Sequence, residues 1–197
     1  VITDTDIEIA AGHATHTATA PMETPQTWAA IIVEGNLPYS TKNRTLASVA
    51  GQILTQRLIE TVREKEGAVY SIGAQGSMKR LGKYPITIQT VFPMKPEMKD
   101  KVLGMIETEF NNMTTNVKDE ELNKVKEFMV KSCTEEKELN QPWINAMAGA
   151  ALNGIDTFNG NIETINSLTT ADVMTFMKEL LSQGNYQTVI LDPESEE

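Results

Sequence analysis

The sequence predicts an α+β fold: a mostly antiparallel sheet covered on one face by helices. Three observations carry that reading. Short apolar or alternating runs concentrate before residue 95, at 28–33, 68–77 and 84–92. Helical periodicity dominates from there to residue 181, and one further strand-like run returns at 186–191. Strands early, helices late and a returning strand describe a segregated α+β layer, not the strict alternation of a parallel α/β sheet.

Residues 1–25 are rich in Thr and Ala and close on Pro21 and Pro25. They read as an extended lead-in or interdomain linker, with a short strand around 7–10, so that 26–197 forms one α+β domain. Trp28-Ala29-Ala30-Ile31-Ile32-Val33 is a compact apolar run closed by Glu34-Gly35-Asn36, the mark of a buried strand. A long helix is expected over 43–66, where Leu46, Val49, Ile53, Leu58 and Val62 recur at helical spacing. Gly67 then stands where a residue just past a helix end is expected. Alternation over 68–77, with Tyr70, Ile72 and Ala74 on one side, and over 84–92, with Tyr84, Ile86, Ile88 and Phe92 on one side, predicts two antiparallel neighbours joined around 79–83.

Pro96 opens a helix with the stripe Met98, Val102, Met105, Ile106, Phe110 and Met113. Asp119, Glu120 and Glu121 place negative charge on the first turn of the next helix, where the macrodipole favours it. That helix turns Leu122, Val125, Met129 and Cys133 inward. Pro142 starts a third helix ending near Gly154, and Thr169-Thr170-Ala171-Asp172 caps a fourth that Gly184 terminates. No internal repeat is present.

The 197 residues suffice for one sizeable core, and the net charge of -10 opposes a nucleic-acid partner, which needs clustered Lys and Arg. One cysteine, Cys133, excludes an internal disulfide and a cysteine-based zinc site; it reads as a small buried hydrophobe. No apolar run is long enough to span a membrane. The chain begins at Val1 and is expected to be a piece of a longer polypeptide, so a missing signal segment decides nothing about compartment.

Chemistry concentrates in Val62-Arg63-Glu64-Lys65-Glu66-Gly67-Ala68-Val69-Tyr70-Ser71. A permanent cation at a helix end and a phenol at a strand start, separated by a tight glycine turn, can converge as two donors on one external point. A carbonyl oxygen or developing oxyanion needs such donors. The plainer alternative has Arg63 capping the helix C-terminus and Tyr70 as a half-buried strand aromatic.

With its surroundings, this segment resembles the C-terminal-type domain of the pitrilysin-like (insulinase-like) zinc metallopeptidases, the inverzincins. The resemblance runs over about 28–193. Its further marks are Pro38-Tyr39-Ser40 before the long helix, Phe92-Pro93-Met94-Lys95-Pro96, Glu120-Glu121-Leu122 with Lys126, and Leu168-Thr169-Thr170-Ala171-Asp172-Val173. The resemblance implies a half-domain like those of the mitochondrial processing peptidase. Two such α+β domains enclose an extended peptide, one bearing His-x-x-Glu-His with the zinc and general base. The other contributes an Arg and a Tyr, matched here by Arg63 and Tyr70, to peptide binding and oxyanion stabilisation. The partners it implies are a homologous zinc-bearing domain or subunit and an extended peptide substrate, with a dimer as a further option. The setting it implies is bacterial, periplasmic or membrane-associated.

The chain departs from the family in having no His-x-x-Glu-His. Its two histidines, His13 and His16, lie in a Thr/Ala segment with no adjacent Cys or carboxylate, a poor zinc site. No metal or other cofactor is expected in this chain; zinc is expected in the remainder of the parent, and the chain alone is expected to be inactive. Gly73-Ala74-Gln75-Gly76 lacks the helix start of a phosphate loop and reads as strand flexibility. The charges over 135–138 read as a solvated helix face, and the methionines as core. Two functions compete: the substrate-binding, non-metal half of a zinc metalloendopeptidase, or a non-catalytic scaffold of the same fold.

Overall fold

The computed structural model describes residues 11–80, 85–154, 156 and 158–194. Its elements are β1 (His13–Ala20), β2 (Thr27–Gly35), α1 (Thr41–Leu58), a π-helical turn (Ile59–Lys65), β3 (Ala74–Met78) and β4 (Ile86–Met94). A 3₁₀ turn (Pro96–Met98) then leads into α2 (Lys99–Asn112), α3 (Asp119–Glu136), α4 (Asn140–Asn153), α5 (Asn161–Ser167), α6 (Thr170–Leu181) and β5 (Asn185–Pro193). The strands form one sheet in the order β1-β5-β2-β4-β3. Three pairings are antiparallel and only β1 with β5 is parallel, so the expected α+β, largely antiparallel sheet is present.

Helices cover one face. Ala29, Ile31 and Val33 of β2 and Ile86, Ile88 and Phe92 of β4 join a core with Val49, Ile53 and Leu54 of α1, Val102 and Ile106 of α2 and Phe176 and Met177 of α6. Alternation sends Trp28, Val91 and Val189 to the opposite face, where they are exposed. Ser40 caps α1 by accepting the Asn43 N–H at 3.0 Å, and the Thr169–Asp172 capping box expected for the last helix is formed.

Several expectations need correction. Within the extended lead-in, the Thr-rich, β-compatible residues 13–20 add strand β1 to the sheet edge. The short strand expected around 7–10 lies outside the described residues, as does Tyr84. The 43–66 helix changes to π geometry at Ile59. Of the strand expected over 68–77, only Ala74–Met78 forms. Ahead of it, Ala68, Val69 and Ile72 all turn into the core, which breaks the alternation and leaves Tyr70 on an irregular segment. Helix α5 was not anticipated, because a seven-residue segment with one buried apolar residue, Ile165, has too little periodicity to register.

Cys133 is half-buried, and burial pushes its thiol up from the ordinary value. The methionine reading divides: Met78, Met94, Met113 and Met177 are core, whereas Met147 is exposed on α4.

Gly76 is not a point of flexibility. A Cβ there would stand 1.8 Å from the Ala47 carbonyl oxygen, and one on Gly51 would stand 2.3 Å from the Gly76 nitrogen. Two facing glycines therefore let α1 lie on β3 backbone to backbone. Thr55 fixes the same joint, its hydroxyl oxygen accepting the Ala74 N–H at 2.8 Å.

The C-terminal end of α1 is also held by charge. Arg57 is buried, donating to both carboxylate oxygens of Glu121 at 2.8 Å and to the Asn116 carbonyl, with Glu109 at 3.7 Å. Burial raises the Glu121 carboxyl, but hydrogen bonds from Arg57 and the Lys118 N–H outweigh it and hold it below its ordinary value.

Two outcomes are expected. Gly76→Ala should destabilise by about 2–3 kcal/mol in denaturant unfolding, because the obstructing atom is backbone. Gly104→Ala, mid-α2 with nothing within 4 Å of the new methyl, should instead stabilise by about 0.5–1 kcal/mol. Equal effects would dismiss the close-approach argument. For Glu121, a depressed folded-state value means its contribution is present above the unfolded value and lost as pH falls through the folded one. Glu121→Gln should cost about 2 kcal/mol at neutral pH, by leaving buried Arg57 without its main anion. That difference should shrink below about pH 4; a pH-independent difference in unfolding midpoint would contradict the assignment.

Candidate functional site

Arg63 lies on the π-helical turn that continues α1, a geometry frequent at functional positions. The Thr61 hydroxyl bonds back to the Arg57 carbonyl at 2.7 Å, competing with the α-helical ladder where the register changes. Val62 stays fully buried on this turn while Arg63 is exposed. The turn ends as expected at Gly67, whose φ of +59° allows its N–H to reach the Arg63 carbonyl at 3.0 Å. The Ala68 N–H meets the Val62 carbonyl at 3.2 Å, closing the loop onto the helix end.

Tyr70 follows on the 68–73 segment and is 92% exposed, in contrast to a half-buried strand aromatic. Among the described residues, neither the Arg63 nor the Tyr70 side chain is engaged by a hydrogen bond or ion pair. Some of the charges around Arg63 are committed elsewhere: Lys65 pairs with Glu60 at 2.8 Å and Glu66 with Lys101. The Lys65 hydrogen bond holds Glu60 below its ordinary value. Two of the carboxylates nearest Arg63 in sequence are thus partly neutralised by other cations, leaving the guanidinium able to bind an external acceptor.

An open groove of about 520 Å³ lies along this segment, lined by Gly67, Ala68, Val69 and Tyr70, by Pro93, Met94 and Lys95, and by Thr24, Pro25 and Gln26. Tyr70 lines it; Arg63 does not. The 24–26 lining was missed from sequence, since only the β2–β4 register, pairing Thr27 with Met94 and Trp28 with Pro93, brings it beside 93–95.

His13 and His16 are on β1, where an odd spacing turns them to opposite faces. His13 packs on Tyr186 at 4.8 Å between ring centroids, and burial pushes the Tyr186 phenol up. His16 Nε2 meets Gln187 Oε1 at 3.3 Å. Among the described residues no group of three or more His, Cys, Asp or Glu is placed to hold a metal, and no helix is long and apolar enough to cross a membrane.

Comparison with solved structures returns the same fold. The periplasmic protease PqqL from Escherichia coli superposes with a TM-score of 0.77 at 19% identity, covering 91% of this chain and 21% of that one. A peptidase M16 inactive domain from Pseudomonas fluorescens gives 0.70 at 17% identity, with 95% and 45% covered. A chain of complex III2 from Candida albicans gives 0.71 at 15% identity, with 92% and 46% covered. This chain therefore spans about a fifth of the protease and under half of the other two. Comparison with curated proteins returns no significant sequence match. The family profile described as Peptidase M16 inactive domain matches residues 8–129, more than half of the chain. By that match, carried on the helix, glycine turn and hairpin just described, the chain belongs to the peptidase M16 inactive-domain family, the non-catalytic half of a peptidase-like fold.

Proposed function

We propose that this chain is the substrate-binding, non-metal half of a zinc metalloendopeptidase. The observation that carries the reading is the exposure of Arg63 and Tyr70 on either side of one glycine turn, beside a groove that Tyr70 lines. Both are donors: the guanidinium stays charged at any working pH, and a neutral phenol gives its O–H. Arg63 and Tyr70 together bind the backbone of an extended peptide and donate to the oxygen that gains charge as the scissile carbonyl becomes tetrahedral. Zinc and the general base belong to a homologous domain or subunit, because the donor set for a metal is missing among the described residues here. A periplasmic or membrane-associated setting is part of the proposal. Membership of the inactive-domain family and the fold shared with a periplasmic protease support it.

A non-catalytic scaffold is the second reading, favoured by the fold shared with a complex III2 chain. The two separate on one experiment. The zinc-bearing half is supplied, as the parent polypeptide or a partner subunit, and hydrolysis of an unstructured peptide is followed with and without a zinc chelator. Arg63→Ala and Tyr70→Phe should each lower kcat/KM by about 10²–10³, the usual loss for one oxyanion donor. Circular dichroism and zinc content should stay as in the unsubstituted protein. Unchanged turnover in both variants would remove the assigned role; no chelator-sensitive turnover at all would favour the scaffold.

A further inference from the structure

The groove beside Tyr70 has a sign of its own. In a chain of net charge -10, its lining includes one cation, Lys95, and no carboxylate. Glu23 and Glu97 adjoin the lining in sequence but are not part of it, and among the described residues neither pairs with Lys95. Three lysines follow closely on β4, and two of them are occupied. Lys99 pairs with Asp192 at 2.7 Å and Lys101 with Glu66. Lys95 is exposed and, among the described residues, has neither a hydrogen bond nor an ion pair. The unengaged lysine is the one on the groove.

The rest of the lining suits a side chain that is apolar along its stem. Val69 and Met94 are buried and give the groove an apolar floor. Pro25 and Pro93 hold their φ angles fixed, which stiffens two stretches of its wall.

We infer that this groove selects an acidic residue of the peptide, a Glu or Asp close to the scissile bond, whose carboxylate meets the Lys95 ammonium. The inference rests on the reading above, in which Tyr70 donates at the scissile carbonyl. Because Tyr70 is itself a wall of the groove, any segment of the protein or its partner that filled it would cover that donor. Under that reading the occupant is the peptide. Charge then decides which peptide. A Lys or Arg of the substrate meets an ammonium with no lining carboxylate to offset it, whereas an acidic residue finds an unengaged partner. An ammonium is a compact charge on a flexible stem, so it follows a carboxylate over several positions. Selection is therefore for the sign of the charge, and Glu and Asp are both accepted.

The test uses the protein with its zinc-bearing half supplied, as the parent polypeptide or a partner subunit. One unstructured peptide is made in Glu, Gln and Lys versions at each position around the scissile bond. At one position the ratio of kcat/KM for Glu over Lys should reach about tenfold, since an attraction is gained and a repulsion avoided, each up to about fivefold for a solvent-exposed pair. Lys95→Gln should bring that ratio toward one, and Lys95→Glu should invert it. Raising salt from about 0.01 to 1 M should also shrink the ratio, as the Debye length falls from about 30 to 3 Å. Lys95 is exposed, so circular dichroism should match that of the unsubstituted protein. Chelator-sensitive turnover that never distinguishes Glu from Lys, or a Glu preference that survives Lys95→Glu, would overturn this inference and leave the roles of Arg63 and Tyr70 standing. Absence of chelator-sensitive turnover for every peptide would remove that reading and this inference with it.

Discussion

The closeness of α1 to β3 is the constraint on which the rest of the molecule depends. A helix ordinarily rests on a sheet through its side chains, which leaves latitude in angle and register. Here Gly51 and Gly76 remove the intervening side chains, and the backbones touch. Position along the pair is then set by backbone atoms, which cannot give way as a flexible side chain would. Thr55 ties the same joint to the first residue of β3. With α1 fixed there, the position of its C-terminal end is set, and that end becomes the π turn with Arg63.

Arg57 fixes the second point. It ties the end of α1 to Glu121 on the first turn of α3 and to the Asn116 carbonyl just before it. A buried guanidinium is costly unless nearly all its donors are used, and here they are spread over two carboxylates and a carbonyl. The arrangement adds less to net stability than its count of bonds implies, but it specifies direction: α1 must end facing the start of α3. Two fixed points, one of packing and one of charge, define the axis from which the π turn emerges.

Much of this was legible in sequence because it rests on periodicity. The apolar stripe of α1, the alternation of β4 and the Thr169–Asp172 cap are local patterns, and each reappears where local chemistry places it. Arg63 and Tyr70 were legible as a pair by type and spacing. Their conformations were not, because the π turn and the irregular 68–73 segment follow from which neighbours the core accepts. Ala68, Val69 and Ile72 are all buried, and no period-two pattern anticipates three inward residues around an outward Tyr70. Strand β1 was hidden for a similar reason. Its Thr and Ala residues form a strand only because β5 offers an edge 173 residues away, where the Gly12 N–H also meets the Asn185 side chain. The lining at 24–26 depends on strand register, which a single chain of letters does not reveal.

What joins these features is the placing of mobile donors on an immobile backbone. Arg63 is a long, exposed side chain whose immediate neighbour Val62 is sealed in the core. Tyr70 is almost wholly exposed, yet the residues on its N-terminal side and Ile72 beyond it are buried. The Gly67 turn between them is closed at both ends by backbone hydrogen bonds to the π turn. A donor that approaches a substrate in this way spends little entropy on its backbone and pays only for its own rotamers. Were the same pair on a free loop, the ordering cost on binding would fall on the whole segment. The buried neighbours of Arg63 and Tyr70, though remote from any substrate atom, thus decide how much of each donor's interaction is left to act on an oxyanion.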